Sequence, residues 1–293
     1  MSEQKTTVPA QPACPVCGTP AAPAYKHPHA IIFRCPDCTH AFSSLNTLTK
    51  FENYGPAYYE ETHKNWFLHP NRDLFTLITR QLKEQAVNSV IDIGCGKGDF
   101  LRHAHVDMPE AHLVGVDLSD NVPEPGITYL RADILHAPIK EQFDAVVSLA
   151  VIEHVPDIRG FIQRLGGLCK PGGRIVIMTL NEGGLLYRAT KLGKALGVSI
   201  GFNRLYDVHH LHHFTTRSLS RLIEDAGLMI QKVHHHNVPL KAVDIPAANP
   251  LTKVALSWGV ALAFAAGRAT QSCYLQTVIA SKPGPAGAKD FGS

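Results

Sequence analysis

Short apolar runs, separated by polar segments and glycine turns, recur along most of the chain. Runs of this length that are rich in Val and Ile predict buried strands, and apolar positions at helical spacing between them predict helices. Strands that alternate with helices predict an α/β fold with a doubly wound, mostly parallel sheet. Seven strands are predicted, at residues 90–93, 113–116, 127–130, 143–150, 174–180, 228–233 and 275–281.

The same pattern predicts two helices that flank this region. Apolar residues at helical spacing predict one helix over residues 71–86, before the first strand. A second helix is predicted to carry Leu219, Leu222, Ile223 and Ala226. Thr215 or Thr216 would cap its start and Gly227 would end it. Both helices fit the helical layers of a doubly wound fold.

A glycine turn follows the first predicted strand, in the sequence Asp-Ile-Gly-Cys-Gly-Lys-Gly at residues 92–98. Its glycines let the backbone pass close to a ligand, and the next helix offers N–H groups that attract negative charge. A dinucleotide site would need a third glycine at position 99, where the chain has Asp99. The turn predicts a nucleotide-like ligand, although alone it is a weak signal.

Further motifs follow the later strands. Asp117 ends the second strand, where a carboxylate can accept hydrogen bonds from a ribose diol, and Asp133 follows the third. The fourth strand opens into Glu-His-Val at residues 153–155, and Lys-Pro-Gly-Gly at 170–173 precedes the fifth. In this order the motifs resemble those of the class I S-adenosylmethionine-dependent methyltransferases. The resemblance implies a Rossmann-like methyltransferase fold and S-adenosylmethionine as cofactor.

The resemblance also implies which residues bind the cofactor. Gly94, Cys95 and Gly96 would line its methionine and sugar part. Asp92 would shape the turn or reach the amino group. These residues all belong to the glycine turn.

Four further residues would complete this cofactor site. Asp117 would accept two hydrogen bonds from the ribose hydroxyls, which a carboxylate can do in a bidentate way. Asp133 would bind the adenine amino group, the Ile134 backbone would lie at the ring edge, and Ala150 would lie beneath the cofactor. The alternative is that both carboxylates only stabilise loops.

Four of the seven cysteines form two Cys-x-x-Cys pairs, Cys14 with Cys17 and Cys35 with Cys38. Two such knuckles can present four thiolates to Zn²⁺, so residues 10–45 are predicted to form a zinc ribbon. A disulfide is the alternative, which a reducing compartment disfavours. We expect this ribbon to have a core separate from that of the cofactor domain.

Composition limits the remaining functions. The 293 residues are 45% hydrophobic and carry a formal net charge of +3. Because this charge is small and no block of Lys or Arg is present, nucleic-acid binding is not indicated. The polar N-terminus has no apolar signal core, which favours a cytoplasmic protein. The sequence does not indicate an oligomeric state.

The chain is predicted to contain several units. An aromatic linker or lid over residues 46–70 follows the ribbon, and the methyltransferase domain spans residues 71–283 with a glycine-rich substrate insertion at 182–214. A Pro- and Gly-rich tail at 284–293 is expected to be disordered. The combination of ribbon, Tyr-x-x-x-Tyr-Tyr segment and glycine turn resembles zinc-ribbon methyltransferases that tailor polysaccharides, sugars or secondary metabolites.

One apolar segment without charges, residues 254–266, lies between the last two strands. Its 13 residues are fewer than the roughly 20 that a membrane-spanning helix needs. We therefore expect a buried or lid-forming helix. Contact with a membrane surface through Trp258 and Phe264 is the alternative.

Two sets of histidines are candidates for the base that a hydroxyl acceptor needs. His154 follows the fourth strand, and His210 lies in the sequence His-His-Leu-His-His-Phe at residues 209–214. The second segment resembles the family's His-Leu-x-x-Phe motif, and His210 is the favoured base. Alternatives are a structural role for His154 and a metal site built from His209 and His213.

The leading prediction is O-methylation of a saccharide or small-molecule hydroxyl. An RNA base methyltransferase is a second hypothesis, because ribosomal guanine methyltransferases also carry a ribbon on this fold. A third is a binding module that retains the cofactor pocket without transferring a methyl group.

Overall fold

The computed structural model describes residues 11–47, 64–245 and 249–284. The Tyr-x-x-x-Tyr-Tyr segment, most of the predicted lid and almost all of the predicted tail lie outside these residues. Eleven strands lie in the described parts of the chain: β1 (Ala22–His27), β2 (Ala30–Arg34), β3 (Ala41–Ser43), β4 (Ser89–Ile93), β5 (His112–Asp117), β6 (Ile127–Arg131), β7 (Phe143–Leu149), β8 (Cys169–Leu180), β9 (His212–His213), β10 (Met229–His236) and β11 (Leu275–Ser281).

Seven of these strands form the central sheet, in the order β10-β11-β8-β7-β4-β5-β6. The five strands from β8 to β6 run parallel, and β11 is antiparallel to both of its neighbours. This arrangement confirms the predicted doubly wound, mostly parallel fold. After β4, the chain forms β5 on one side of β4, and later it forms β7 on the other side. Such a change of direction opens a crevice at the carboxyl ends of the strands.

Helices cover the sheet. They are α1 (Lys64–Leu68), α2 (Arg72–Glu84), α3 (Asp99–Asp107), α4 (Ile158–Leu168), α5 (Leu185–Ala195), α6 (Ile200–Leu205), α7 (Thr216–Asp225) and α8 (Pro250–Ala269). The two predicted helices correspond to α2 and α7, which Asn71 and Thr215 cap with their side chains. The predicted insertion contains α5 and α6, so its glycines do not prevent helix formation.

A second, four-stranded sheet has the order β1-β2-β3-β9. Its first three strands come from the cysteine-rich ribbon, whereas β9 comes from the His-rich segment of the cofactor domain. Phe33 and Phe42 of the ribbon belong to the same buried cluster as Phe214 and Leu219 of the domain. The expectation of separate cores is therefore wrong. The short ribbon buries its apolar face by packing on the larger domain.

Helix α8 differs from the prediction in two ways. It has 20 residues rather than 13, because Asn249 caps it before Pro250 and the helix continues through Lys253 and Arg268. It is mostly exposed rather than buried, and only 11% of its most apolar 18-residue window lies inside the protein. By length and composition alone, this helix is the one candidate membrane span in the described chain.

Candidate functional site

A cavity of about 1100 Å³ lies where the parallel strands of the central sheet end. Residues that follow β4, β5, β6 and β7 all line it, as the predicted carboxyl-edge site requires. Its volume is slightly above the usual range for small-molecule sites. It can therefore hold a nucleotide-sized cofactor together with part of a second molecule. The predicted site residues in its wall are Gly94, Gly96, Asp117, Asp133, Ile134, Ala150, His154 and His210.

The glycine turn after β4 has a backbone that side chains would disturb. Gly94 has a φ of +72°, and a Cβ atom there would lie 2.3 Å from Cγ2 of Val151. Gly98 has a φ of +79° and precedes the first residue of α3. The turn thus brings bare backbone to the cavity wall and then begins a helix.

Asp117 is fixed against this turn. Its Oδ2 accepts a hydrogen bond from the Gly96 N–H at 2.8 Å. Its Oδ1 accepts from the N–H and the hydroxyl of Ser119, at 2.9 Å and 2.6 Å. Carboxylate oxygens have further lone pairs. Asp117 can therefore accept the two hydroxyls of a diol while the protein holds it in place.

Asp92 lies deeper, below the turn, and is 2% exposed. Its Oδ1 has no hydrogen-bond partner among the described residues. Burial and the nearby charge of Asp117 raise the pKa of Asp92 to about 8. A buried carboxyl oxygen without a donor fits a ligand that brings one, such as an ammonium group. The buried Cys95 lines the same small recess, where burial raises the pKa of its thiol.

Three more predicted residues lie on the cavity wall. Asp133 is half exposed and accepts hydrogen bonds from the Leu135 N–H at 3.0 Å and the His136 ring at 2.8 Å. Ile134 follows it and is buried. Ala150 has a φ of +58°, which is rare for a residue with a Cβ. Backbone strain of this kind is commonly found at functional sites.

The two candidate bases lie side by side, with ring centroids 4.9 Å apart. Nδ1 of His154 donates to the His209 carbonyl oxygen at 2.8 Å, because a carbonyl can only accept. Burial and the neighbouring His210 lower the pKa of His154 to about 3. His154 is therefore neutral near pH 7 and is a weak base.

His210 has a different electrostatic neighbour. Its backbone N–H donates to the carbonyl of Asp207 at 3.0 Å. Although burial opposes ionisation of Asp207, its pKa is lowered by His210 and by the His209 N–H. An ionised carboxylate beside an imidazole stabilises the imidazolium that forms when the ring takes a proton. The role of His210 as the base stays a prediction, which the neighbouring Asp207 carboxylate supports.

Sequence reasoning did not identify Glu153 as a residue of this site, where it lies beside the two histidine rings. The carboxyl group is buried and accepts a hydrogen bond from the Thr179 hydroxyl at 2.8 Å. Burial raises its pKa to about 7. Its ligand atom and those of His154 and His210 lie within 4.8 Å of one another. The only signal in the sequence was its place next to His154.

The His-rich segment splits between two locations. His210 reaches the cavity, whereas His212 and His213 form β9 and are fully buried against the ribbon. His213 therefore lies in the second sheet, and neither it nor His209 belongs to a group of metal-capable ligands in the described chain. The structure does not support the alternative of a metal site built from these two residues.

The four ribbon cysteines come together. The Sγ atoms of Cys14 and Cys38 are 3.5 Å apart, and those of Cys17 and Cys35 are 3.4 Å apart. All four are free thiols. Zinc–sulfur bonds of about 2.3 Å in a tetrahedron place sulfurs roughly 3.8 Å apart. The cluster therefore has the donor set and nearly the spacing of a structural zinc site, rather than that of a disulfide.

Charged side chains tie the ribbon to the domain. Arg221 of α7 donates to Asp37 at 2.6 Å, and Arg159 of α4 donates to the Pro15 carbonyl at 3.1 Å. On the other side, Arg34 forms an ion pair with the buried Glu182, directly after β8. The ribbon is thereby connected to the segment that leads into the substrate insertion.

Comparisons with known proteins identify the family of this chain. A family model described as a methyltransferase domain matches residues 66–233, more than half of the chain. The mitochondrial ubiquinone biosynthesis O-methyltransferase of Dictyostelium discoideum is 34% identical over 126 residues, which are 36% of this chain and 39% of that protein. The chain thus aligns with less than half of that relative.

Two further comparisons extend over more of the chain. The ubiquinone biosynthesis O-methyltransferase of Pseudomonas syringae pv. tomato is 29% identical over 198 residues, 64% of this chain and 84% of that protein. Among solved structures, 1,6-didemethyltoxoflavin-N1-methyltransferase from Burkholderia thailandensis is 13% identical, with a TM-score of 0.45. That alignment covers 90% of this chain and all of the other.

Proposed function

This chain belongs to the methyltransferase domain family, and we propose that it transfers a methyl group from S-adenosylmethionine to a hydroxyl of a small molecule. The observation that carries this proposal is the position of Asp117. It is fixed at the wall of a cavity that also contains His154 and His210. Relatives named as O-methyltransferases support a hydroxyl acceptor.

The chain's residues would hold the cofactor at the carboxyl edge of the sheet. Asp117 would accept the ribose hydroxyls, and Asp92 would accept from the amino group. Asp133 and the Ile134 backbone line the part of the cavity assigned to adenine. When bound, S-adenosylmethionine supplies an electrophilic methyl group.

His210 would remove the proton of the acceptor hydroxyl. Asp207 stabilises the resulting imidazolium, and His154 stays neutral beside it. From the sequence alone, the predicted acceptor is a hydroxyl of a saccharide or of another small molecule. An acceptor with an apolar body is supported by the apolar and aromatic side chains that also line the cavity, which are Trp66, Leu186, Leu205, Val238, Ala242 and Tyr274.

The ribbon would bind one structural Zn²⁺ through Cys14, Cys17, Cys35 and Cys38. Three of these four cysteines are buried, and the fourth is half-buried. Four protein ligands with no open coordination position are typical of structural zinc rather than catalytic zinc.

An acceptor screen with methyl-labelled S-adenosylmethionine tests the proposal. Purified protein is incubated with hydroxylated aromatic and isoprenoid compounds, with monosaccharides and with RNA. Label should enter a hydroxylated small molecule, and the His210→Ala variant should lose this transfer while it still binds cofactor. Transfer into RNA alone, or tight cofactor binding without transfer to any class, would contradict the proposal.

A further inference from the structure

The outward face of α8 is apolar along its whole length. Leu251, Val254, Trp258 and Leu262 are 84%, 55%, 67% and 67% exposed. At 3.6 residues per turn, these positions lie on one side of the helix. A surface helix normally places polar residues on this side. An apolar outward face therefore indicates contact with something outside the described chain.

The inward face of α8 is held by the domain. Phe264 and Gly267 are buried, and the Phe264 carbonyl accepts a hydrogen bond from the Asn237 side chain at 3.1 Å. A Cβ atom at Gly267 would lie 3.0 Å from the Ser272 carbonyl oxygen. Because one face is packed this closely, α8 presents its other face to a partner without leaving the protein.

A second exposed apolar stretch adjoins α8 through α5. Helix α5 packs against α8, and the stretch from the end of α5 to the first residue of α6 exposes several large apolar side chains. Of the fifteen exposed large apolar residues in the described chain, eight lie on these two segments. We call these eight the cap surface: Leu192, Leu196, Val198, Ile200, Leu251, Val254, Trp258 and Leu262.

The elements that bear the cap surface carry charge of one sign. Helices α5, α6 and α8 contain six Lys or Arg residues and no Asp or Glu. The chain as a whole is nearly balanced, with 28 basic and 25 acidic residues. Lys191 and Arg204 pair with acidic groups elsewhere in the domain. The other cations of these three helices are Arg188, Lys253 and Arg268, together with Lys194, whose Nζ lies 4.4 Å from the centre of the Phe202 ring.

We propose that the cap surface binds the surface of a lipid bilayer that contains anionic lipids. Apolar side chains that include a tryptophan, with basic residues beside them, are typical of helices that lie in a membrane interface. Anionic headgroups attract such cations electrostatically. A second copy of this chain is a poorer partner, because a two-fold contact would place one basic surface against another.

Vesicle co-sedimentation with the full chain tests this proposal. Binding should be at least tenfold stronger to phosphatidylcholine vesicles with 30% phosphatidylglycerol than to phosphatidylcholine alone. The double variant Trp258→Ser/Leu262→Ser should reduce binding at least tenfold. The matched control is Val106→Ser on α3, which removes an 81% exposed apolar residue outside the cap surface and should not change binding.

A charge variant and a fluorescence measurement complete the test. Lys253→Glu/Arg268→Glu should remove the preference for anionic vesicles. In a Trp66→Phe background, Trp258 is the single tryptophan, and its emission should shift to shorter wavelength on anionic vesicles. Absence of vesicle binding, or a dimer in solution that Trp258→Ser dissociates, would overturn the proposal. These measurements need no turnover, so their outcome is independent of the proposed methyl transfer.

Discussion

The cysteine ribbon and the glycine turn after β4 are both recognised by short motifs that contain cysteine and glycine, but they are stabilised in different ways. The glycine turn is local: its glycines, Asp92 and Asp117 are within 26 residues of sequence, and backbone conformation shapes it. The ribbon is not local. Its sheet is completed by β9, about 170 residues away, and its core is shared with α7.

The segment Asp207–Phe214 connects the ribbon with the cavity that the glycine turn lines. His210 faces the cavity, and two residues later the chain enters the ribbon sheet as β9. The carbonyl of Leu211 accepts from the Ser43 N–H at 2.9 Å, while its N–H donates to the Glu153 carbonyl at 2.8 Å. The comparison teaches that a module recognised by its sequence motif can still depend on the rest of the chain for its fold.

The largest expected effect tests whether the ribbon folds independently. Structural zinc contributes about 10–16 kcal/mol of apparent binding free energy, which matches the stability of a typical domain. Because the ribbon shares its core with the domain, Cys35→Ser or chelation should lower the unfolding temperature of the whole protein. Differential scanning calorimetry and metal analysis measure both effects.

The control for this experiment is Cys169→Ser, a buried cysteine outside the ribbon cluster. It should leave the zinc content at one per chain. If the chelated protein keeps an unchanged transition for the cofactor domain, the ribbon is independent and the shared core contributes little.

The next largest effect concerns His210, which lies in the segment Asp207–Phe214. Removal of a general base lowers turnover roughly a hundred- to ten-thousandfold, so His210→Ala should fall in this range. His154→Ala should have a smaller effect, because the low pKa of His154 makes it a weak base. Steady-state kinetics with the identified acceptor, together with cofactor affinity, separate the two variants. A larger loss of turnover in His154→Ala than in His210→Ala would show that His154 is the base. His209→Ala is the matched control.

Beside the glycine turn, Asp117 should dominate cofactor affinity. Loss of hydrogen bonds to a charged group costs about 1.5–3 kcal/mol, so Asp117→Ala should weaken binding roughly ten- to a hundredfold. Isothermal titration calorimetry measures this change, with Asp73→Ala on α2 as a control. Unchanged affinity would show that the turn backbone alone holds the cofactor.

The smallest effect, counted per pH unit, is a dependence of the free energy of unfolding on pH. The pKa of Asp92 is raised from 3.8 to about 8 in the folded protein. The folded chain therefore keeps a proton that the unfolded chain releases, and this contribution to stability is present at low pH and lost as pH rises toward 8. One such proton corresponds to about 1.4 kcal/mol per pH unit in this window.

The Asp92→Asn variant should remove this contribution. Denaturant unfolding of the unchanged protein and of Asp92→Asn between pH 5 and pH 8 measures the difference in their free energies of unfolding. Glu153, whose pKa is also raised, is present in both proteins. Parallel stability curves for the two proteins would show that Asp92 is not protonated in the folded state.

Much of the cofactor edge was predictable because its signals are local. Strand periodicity located β4 and β5, and the motif after each strand placed Asp92 and Asp117 at one edge of the sheet. The cysteine spacing likewise predicted the cluster. Each of these predictions depends on a short stretch of sequence.

The rest depends on contacts between distant residues, which periodicity does not encode. Arg34 and Glu182 are 148 residues apart, and their ion pair has no sequence signature. The His-rich segment reads as one cluster, yet its members face two different regions. The predicted length of α8 was too short because the prediction included only the uncharged residues 254–266. Pro250, Lys253 and Arg268 also belong to the helix.

The pairing of β9 with β3 also sets an order of events during synthesis. His40 and its partner His212 are separated by 172 positions. At about 5–20 residues per second, a ribosome needs on the order of 10–30 s to make the intervening chain. The ribbon is thus made first but acquires its last strand late. Until then, the edge of β3 lacks its β9 partner and is open to pairing with other nascent chains.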